Sequence, residues 1–371
     1  MASFALLVAF LASTATIFAK SALGDNCTIY KLSDAADVTA NCDNIVVKDI
    51  QIDAGQTLQL FLKDAATLTF QGTITFDYAE WLGPAIWIKG NALKVQGAKF
   101  DHLIDGRGAY WWDGLGGSGK QKPLLMKIEA TGGSVFNNIH LKNCPQACVG
   151  LENSDSVTLT YWDIDIIDGN PANGKEVGVN TDGFYIIDSS NVKLLNSTVR
   201  NQDNCVRINQ GSNMSISNLY CYGGRGIGLI AGLSKTDIEK NTIKDISLED
   251  IMVLDAKNGI QVKTISDAGK GNISNIYFKN IRMANIREIA VNVEQDVVNG
   301  TSSGVTNNNI PITKLNMDDI TGTLAGGDSK LVNIVCDPKG GCSDWSWYRF
   351  GFSGEGQQSV CNFVPTGFSC E

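Results

Sequence analysis

The chain has 371 residues, a net charge of −9 and a pI near 4.9. This acidic balance disfavours nucleic acid or an anionic membrane surface as the main partner. An ordinary single core stops growing at about 250 to 300 residues. A solenoid has no such limit because each coil packs only on its neighbours, so one elongated domain accommodates the whole chain.

The chain begins with an apolar run from Ala2 to Ala19, which Lys20 closes. The run resembles a secretory signal peptide with cleavage between Ala19 and Gly24. A membrane anchor is the alternative, but the run is short for the ~20 apolar residues of a span. We therefore predict a signal peptide over residues 1–24 and a secreted, extracellular protein.

The cysteines support an oxidising compartment, because they are even in number and fall in local pairs. The pairs are Cys27 with Cys42, Cys144 with Cys148, Cys205 with Cys221, Cys336 with Cys342, and Cys361 with Cys370. A zinc site is the alternative at Cys144 and Cys148, although only His140 lies nearby in sequence. Sequons that predict glycosylation occur at Asn26, Asn196, Asn213, Asn272 and Asn299.

Between about Val46 and Val335, short apolar runs alternate with polar turns, and no long amphipathic stretch interrupts them. Equivalent starts recur at about 22 to 35 residues, the spacing of solenoid coils with loop insertions. They are Ser134, Ser156, Asn191, Asn213, Asp245 and Asn275. An all-β sandwich also contains many short strands but does not explain this recurrence. We predict an all-β, right-handed parallel β-helix.

Both ends of a solenoid need caps, since open strand edges aggregate. Cys27 and Cys42 are predicted to staple the N-terminal cap. The aromatic segment Trp345–Tyr348, flanked by cysteine pairs, is predicted to cover the C-terminal end. The aromatic insert from Ile104 to Asp113 has two interpretations, a wall of a sugar-binding groove or a packed loop.

The stretch from Asn180 to Lys263 carries the polar residues that point to function. It contains Asn180-Thr181-Asp182-Gly183, Gln202-Asp203-Asn204-Cys205, Gly223-Gly224-Arg225-Gly226 and Gln261-Val262-Lys263. Asp182, Asp203 and Arg225 are about one coil apart, so we expect them to stack on successive strands about 4.8 Å apart. Together with Lys263 they are expected to lie on one face.

These motifs resemble those of the polygalacturonases, family 28 of the glycoside hydrolases. The order Asn-Thr-Asp-Gly, Asn-Gln-Asp-x-Cys, Gly-Gly-x-Gly and x-Val-Lys-Thr carries the resemblance, with Ile104–Gly114 and Val293–Asp296 as further matches. Four of the cysteine pairs also match the fungal enzymes. The resemblance covers nearly all of residues 25–371 and implies a single domain that acts on pectin without a cofactor.

The resemblance assigns roles to several residues. Inverting glycosidases use one protonated carboxyl as acid and another carboxylate as base. Asp203 corresponds to the family's general acid, Asp182 to one of two aspartates that activate the water, and Lys263 to a cation that holds a substrate carboxylate. Asn180, Gln202, Gln261 and Arg207 are the remaining candidates for substrate binding.

The chain departs from the family pattern at several of these positions. Asn204 replaces the second base carboxylate, Arg225 replaces a histidine, Gln261 replaces an arginine that clamps substrate, and Val297 replaces a tyrosine. The two histidines, His102 and His140, lie outside the motif.

These changes act against hydrolysis. Asn204 removes the like-charge repulsion that keeps an acid protonated, and Arg225 adds a fixed positive charge that favours the carboxylate form of Asp203. Losing one member of an acid/base set costs on the order of 10² to 10⁴ in rate.

Three functions remain open. The first is a monomeric pectin- or oligogalacturonide-binding protein that has lost hydrolysis. Its arginines would bind carboxylates through bidentate hydrogen bonds. For Arg207, a surface ion pair is the alternative role. The second is an active pectinase, on galacturonan or rhamnogalacturonan, with a shifted substrate or pH range. The third is a non-catalytic scaffold for protein contacts or inhibition.

Overall fold

The computed structural model describes residues 27–170 and 176–370. The predicted signal peptide and the sequon at Asn26 lie outside the described residues. The strands are β1 (Thr28–Ile29), β2 (Asn44–Lys48), β3 (Gln51–Ile52), β4 (Leu58–Phe61), β5 (Thr67–Phe76), β6 (Ile86–Asn91), β7 (Lys94–Asp105), β8 (Met126–Thr131), β9 (Ser134–Lys142), β10 (Val149–Asp165), β11 (Phe184–Asn201), β12 (Val206–Ile208), β13 (Gly211–Gly223), β14 (Ile227–Ala231), β15 (Thr242–Leu254), β16 (Asn258–Ile265), β17 (Asn272–Ile286), β18 (Ile289–Val298), β19 (Thr301–Ser302), β20 (Ile312–Leu324), β21 (Lys330–Val335), β22 (Cys342–Ser343), β23 (Ser346–Ser353) and β24 (Val360–Cys361).

Helical structure in the described chain is confined to short segments. They are the α-helix α1 (Ala35–Asn41) and the 3₁₀ turns Leu32–Asp34, Gly108–Tyr110, Gly116–Ser118, Ile167–Gly169 and Glu239–Asn241. None of the described helices is long and apolar enough to cross a membrane.

The strands pair in parallel from coil to coil, which confirms the predicted right-handed parallel β-helix. One column of partners runs through Leu58, Ile86, Met126, Val149, Phe184, Val206, Ile227, Ile260, Val291 and Val332. All of these side chains are buried. Their outward neighbours form what we call the front face, the exposed side of the sheet that contains β4, β6, β8, the first residues of β10 and β11, β12, β14, β16, β18 and β21.

Left-handed corners bend the long strands around the core. Ser156, Asn191, Asn213, Asp245 and Asn275 all have a positive φ, and asparagine and aspartate tolerate that region best among residues with a side chain. Stacked side chains join these corners, as where Asn275 Nδ2 donates to Asp245 Oδ1 at 2.6 Å. Five of the six predicted starts therefore share a register.

The sixth predicted start, Ser134, is wrong by one position. Ser134 pairs with Val157 rather than with Ser156. The residue equivalent to Ser156 is Gly133, which has a φ of +79°. The corner here is a glycine, Gly133, and the polar residue Ser134 follows it. In the sequence this looks the same as a corner made by the polar residue itself.

All five predicted cysteine pairs form disulfides, and the widest joins residues 16 apart in sequence. The bonds join Cys27 to Cys42, Cys144 to Cys148, Cys205 to Cys221, Cys336 to Cys342, and Cys361 to Cys370. The zinc alternative at Cys144 and Cys148 is therefore wrong, because their sulfurs are bonded to each other and are not free to bind a metal.

The first disulfide staples the N-terminal end as predicted. The bond between Cys27 and Cys42 encloses α1, whose Ala35 and Val38 are buried. Elsewhere on the surface, the sequons at Asn196, Asn213 and Asn299 are exposed and Asn272 is half-buried, so glycosylation stays a prediction.

The aromatic C-terminal segment covers the last coil. Trp347 is fully buried and stacks on Trp345, with ring centroids 5.9 Å apart and planes 7° apart. Phe350 and Phe368 pack on the Trp347 ring from other directions. The indole nitrogen donates to the carbonyl of Leu315 at 3.2 Å, so the buried ring leaves no donor unsatisfied.

Replacing Trp347 with alanine should therefore destabilise the C-terminal end. The lost contacts and the remaining cavity should cost about 3 to 5 kcal/mol in the free energy of unfolding, measured by urea denaturation. Tyr348→Ala is the matched control, because the Tyr348 ring is half exposed. Equal shifts of the two midpoints would show that the aromatic cap does not hold this end.

Candidate active site

The site lies on the front face, where three successive coils meet. The pairing of Phe184 with Val206, and of Val206 with Ile227, sets Asp182, Asn204 and Arg225 at equivalent positions two residues before each strand. Asp203 precedes this column by one residue. The expected column of Asp182, Asp203 and Arg225 is therefore wrong at Asp203, because Asn204 occupies that position. The turn before β12 places Asp203 beside the column.

The side-chain amide of Asn204 links the two carboxylates. Its Nδ2 donates to Asp182 Oδ1 at 2.9 Å and to Asp203 Oδ1 at 3.0 Å. The three residues are buried, with exposed fractions of 4%, 6% and 3% for Asp182, Asp203 and Asn204. Both amide protons are committed to carboxylates, so Asn204 takes the position of a third acid and acts as a donor there.

Gln261 completes this network from the coil two strands away. Its Nε2 donates to Asn204 Oδ1 at 3.0 Å and to the carbonyl of Arg225 at 2.9 Å. Gln261 is buried and its Nε2 is used within the protein, so its contact with substrate stays a prediction. It fixes the orientation of the Asn204 amide.

The proton in this site belongs on Asp182. Burial, with the Asp203 carboxylate as the second cause, raises the pKa of Asp182 to about 7 from an ordinary 3.8. Arg207 and the Asn204 amide act in the opposite direction but do not offset these effects. The residue assigned as base thus holds a proton below neutral pH, whereas the resemblance implies an ionised base there.

Two arginines approach the carboxylates loosely. Arg225 Nε lies 3.9 Å from Asp203 Oδ1, and 40% of the Arg225 side chain is exposed, so solvent screens the pair. Arg207 Nη1 lies 3.8 Å from Asp182 Oδ2, and its guanidinium carbon lies 5.4 Å from the centre of the Tyr185 ring. The buried Arg207 Nε has no protein partner. Arg207 thus forms the predicted ion pair, and 31% of its side chain remains exposed.

Asn180 and Gln202 have different roles. Asn180 Nδ2 donates to Asp203 Oδ2 at 3.1 Å, and Asn180 Oδ1 accepts from the Gly117 amide at 2.9 Å. Gln202 is buried, with its Oε1 accepting from the Gly178 amide at 2.7 Å and its Nε2 donating to the Ile166 carbonyl at 3.3 Å. The Gln202 side chain thus holds a loop, and its contact with substrate stays a prediction.

Lys263 lies on the same face as Gln261, two residues further along β16. Lys263 Nζ pairs with Glu294 Oε2 at 3.2 Å on the next coil. Lys257 and Arg287, at the starts of β16 and β18, both pair with Glu176. Asp182, Asp203, Arg225 and Lys263 therefore share one face, as expected.

A cleft of about 480 Å³ opens beside Asp182 on the side of the earlier coils. We call it the upstream cleft, and the residues used below are Leu82, Leu124, Glu152, Asp182, Tyr185 and Arg207. Sequence reasoning missed Leu82, Leu124, Glu152 and Tyr185, which lie outside the motifs. For Tyr185 a signal existed: it pairs in register with Arg207, and outward side chains of paired strands lie next to each other.

The aromatic insert does not line this cleft. Trp111 and Trp112 are buried, and their indole nitrogens donate to the carbonyls of Ala79 and Cys144 at 2.7 and 3.1 Å. The insert is therefore the packed loop of the two interpretations. His102 of β7 and His140 of β9 pack against each other in a tilted arrangement, with ring centroids 4.6 Å apart and planes 35° apart.

Comparison with known proteins agrees with this architecture. The model of "Glycosyl hydrolases family 28" matches residues 42–370. A polygalacturonase of Phaedon cochleariae is 40% identical over 362 residues, 97% of each chain. A polygalacturonase of Saccharomyces cerevisiae is 37% identical over 345 residues, 92% of each chain.

A solved structure agrees as well. Endopolygalacturonase I from Stereum purpureum, complexed with two galacturonates, superposes with a TM-score of 0.80 at 26% identity, covering 90% of this chain and 96% of that one. The match to the family model extends from the second cysteine of the N-terminal cap to the last disulfide and includes the carboxylate pair. The chain therefore belongs to family 28 of the glycosyl hydrolases.

Proposed function

We propose that the protein is secreted and binds pectin-type galacturonate polymers on the front face, and that it hydrolyses them weakly or not at all. The single observation that carries the proposal is the Asn204 amide between Asp182 and Asp203. Membership of the family supports the substrate class, and the disulfides support an oxidising, extracellular location.

Binding is supported by cations around the carboxylate pair. The Arg225 side chain is 40% exposed and the Arg207 side chain is 31% exposed. Lys257 and Arg287 share one carboxylate, Glu176, which leaves positive charge to meet the substrate. Guanidinium groups bind carboxylates through paired hydrogen bonds, and galacturonate carries one carboxylate per sugar.

Weak hydrolysis follows from the proton positions. An inverting enzyme needs a protonated acid and an ionised base at the same pH. With the pKa of Asp182 near 7, the base position is protonated in mildly acidic solution. Asn204 supplies no replacement, because an amide cannot take a proton from water. The assigned acid and base are thus not set for their roles together.

An active pectinase is the second candidate, and one observation favours it. Asp182 and Asp203 are both retained, and a carboxyl with a pKa near 7 is suited to donate a proton. In that case Asp182 would act as acid and Asp203 as base, the reverse of the family assignment. Several relatives are named as polygalacturonases. Assays of hydrolysis and of binding on the same sample separate the two candidates.

We expect release of reducing ends from polygalacturonate to be at least ~100-fold slower than with a family member that carries all three aspartates. In affinity electrophoresis the same protein should be retarded by pectin in the gel. Rhamnogalacturonan serves as the second substrate. Turnover within tenfold of the intact relative would refute the loss of hydrolysis, and absence of retardation would refute the binding role.

Asn204→Asp alone should not restore hydrolysis, whereas Asn204→Asp with Arg225→His should. The single change removes two hydrogen bonds to carboxylates and adds a third negative charge, which Arg225 can pair with. A histidine at 225 removes the fixed charge and titrates near neutrality. The measurement is turnover of polygalacturonate by both single variants and the double variant.

Asn292→Asp is the matched control for this series. Asn292 lies on the same face, and its Oδ1 accepts from Asn333 Nδ2 at 2.9 Å, so a carboxylate there keeps the acceptor. It should leave turnover unchanged. If Asn204→Asp alone equals the double variant, Arg225 is not an obstacle.

The raised pKa of Asp182 should make the free energy of unfolding depend on pH. Between about pH 5 and 7 the native state keeps a proton that the unfolded state has lost, so the free energy of unfolding falls as pH rises through the native-state pKa near 7. Asp182→Asn stays neutral, and its stability relative to the parent should rise by about 2 kcal/mol over this range. Urea denaturation at several pH values measures the difference.

Asp155→Asn is the control for the pH series. Hydrogen bonds from Ser190, Ser156 and Asn191 lower the pKa of Asp155, so its titration lies below this range. That variant should differ from the parent by the same amount at pH 5 and pH 8. A flat profile for Asp182→Asn as well would place the proton elsewhere.

A further inference from the structure

The front face differs in charge on the two sides of the carboxylate pair. Downstream, toward the later coils, Lys257 and Arg287 share the single carboxylate of Glu176. Upstream, Lys127 lies between two carboxylates, 2.9 Å from Glu129 and 2.8 Å from Glu152. Lys89 also pairs with Glu129, so two lysines balance two carboxylates upstream. Downstream, Lys263 pairs with Glu294, so three cations share two carboxylates in these ion pairs and positive charge is in excess.

The upstream cleft also has an apolar wall. Leu82 is 71% exposed at its mouth, and Leu124 and Tyr185 are half-buried beside it. Glu152 faces the cleft with its carboxylate, while Arg207 is the one cation among the residues that line it. Arg207 is already within 3.8 Å of Asp182. A sugar carboxylate in this cleft would find no free cation, because Lys127 is already paired with Glu152, and it would meet apolar carbon at the two leucines.

We propose that the upstream cleft takes a galacturonate residue whose carboxyl group is methyl-esterified, while the downstream cations take a free carboxylate. A methyl ester carries no charge that needs a free cation, and its methyl group gains apolar contact with Leu82 and Leu124. The protein then selects partly esterified pectin over fully de-esterified polygalacturonate. This inference rests on the proposed binding of pectin and assigns the form of pectin that is bound.

The test compares one partly esterified pectin with the same sample after mild alkaline removal of its esters, so that chain length is matched. Dissociation constants come from affinity electrophoresis of the full mature protein at constant ionic strength. Burial of one ester methyl group predicts roughly fourfold tighter binding of the esterified sample. Equal or tighter binding of the de-esterified sample would overturn the inference while leaving the proposed function standing.

Variants locate the preference. Leu82→Lys adds a cation at an exposed position of the cleft and should reverse the preference toward the de-esterified sample. Met252→Lys makes a comparable change at a 43% exposed position of β15, on a different sheet, and should leave the preference unchanged. If wild type prefers the ester but Leu82→Lys does as well, the preference arises outside this cleft and the assignment is wrong. Failure to bind either sample would overturn the inference together with the proposed function.

Discussion

The structure depends on one constraint, the register in which each coil stacks its apolar residues on those of its neighbours. Side chains of a strand alternate between faces, so a slip by one residue would move every buried aliphatic residue into solvent. The column from Leu58 to Val332 satisfies this constraint along the whole solenoid. The same register fixes the polar residues of the front face, because they are the outward neighbours of the buried ones.

The chemistry of the site follows from this placement. Asn204 occupies the coil between Asp182 and Arg225, so its amide is held against both carboxylates. Gln261, on a coil beyond Arg225, holds the amide in the orientation that donates to them. The Asn204 amide thus has protein partners on both its nitrogen and its oxygen before any ligand arrives. Such satisfied networks rigidify a site, whereas a reacting site needs groups that exchange partners during the reaction.

The sequence predicted the fold because its signals are local and repeated. Turn residues at coil spacing, paired cysteines and an aromatic C-terminal segment each reflect one coil or its cap. The coil spacing also predicted, correctly, that Asp182, Asp203, Arg225 and Lys263 lie on one face. The sequence did not predict which single residue of each turn enters a column. For this reason Asp203 was assigned to the column that Asn204 occupies, and Ser134 was misplaced by one residue. Coil spacing alone does not distinguish neighbouring residues in a turn.

Side-chain partners were the other part that the sequence could not supply. Gln202 and Gln261 match motif positions, yet both amides are used within the protein. Burial and hydrogen bonding decide whether a polar residue meets a ligand, and both depend on loops distant in the chain. Leu82 and Glu152 were missed for the same reason, since they reach the cleft from coils that carry no motif.

The short span of the disulfides has a mechanical consequence. None of the five links residues more than 16 apart, so no covalent bond ties one end of the solenoid to the other. Because each coil is held mainly by its two neighbours, tension on the chain ends would detach coils one after another. The force would thus fall in small steps, one for each coil that detaches. The coils that are still stacked would keep their shape, and the carboxylate pair would be lost only when unfolding from either end reached its coils.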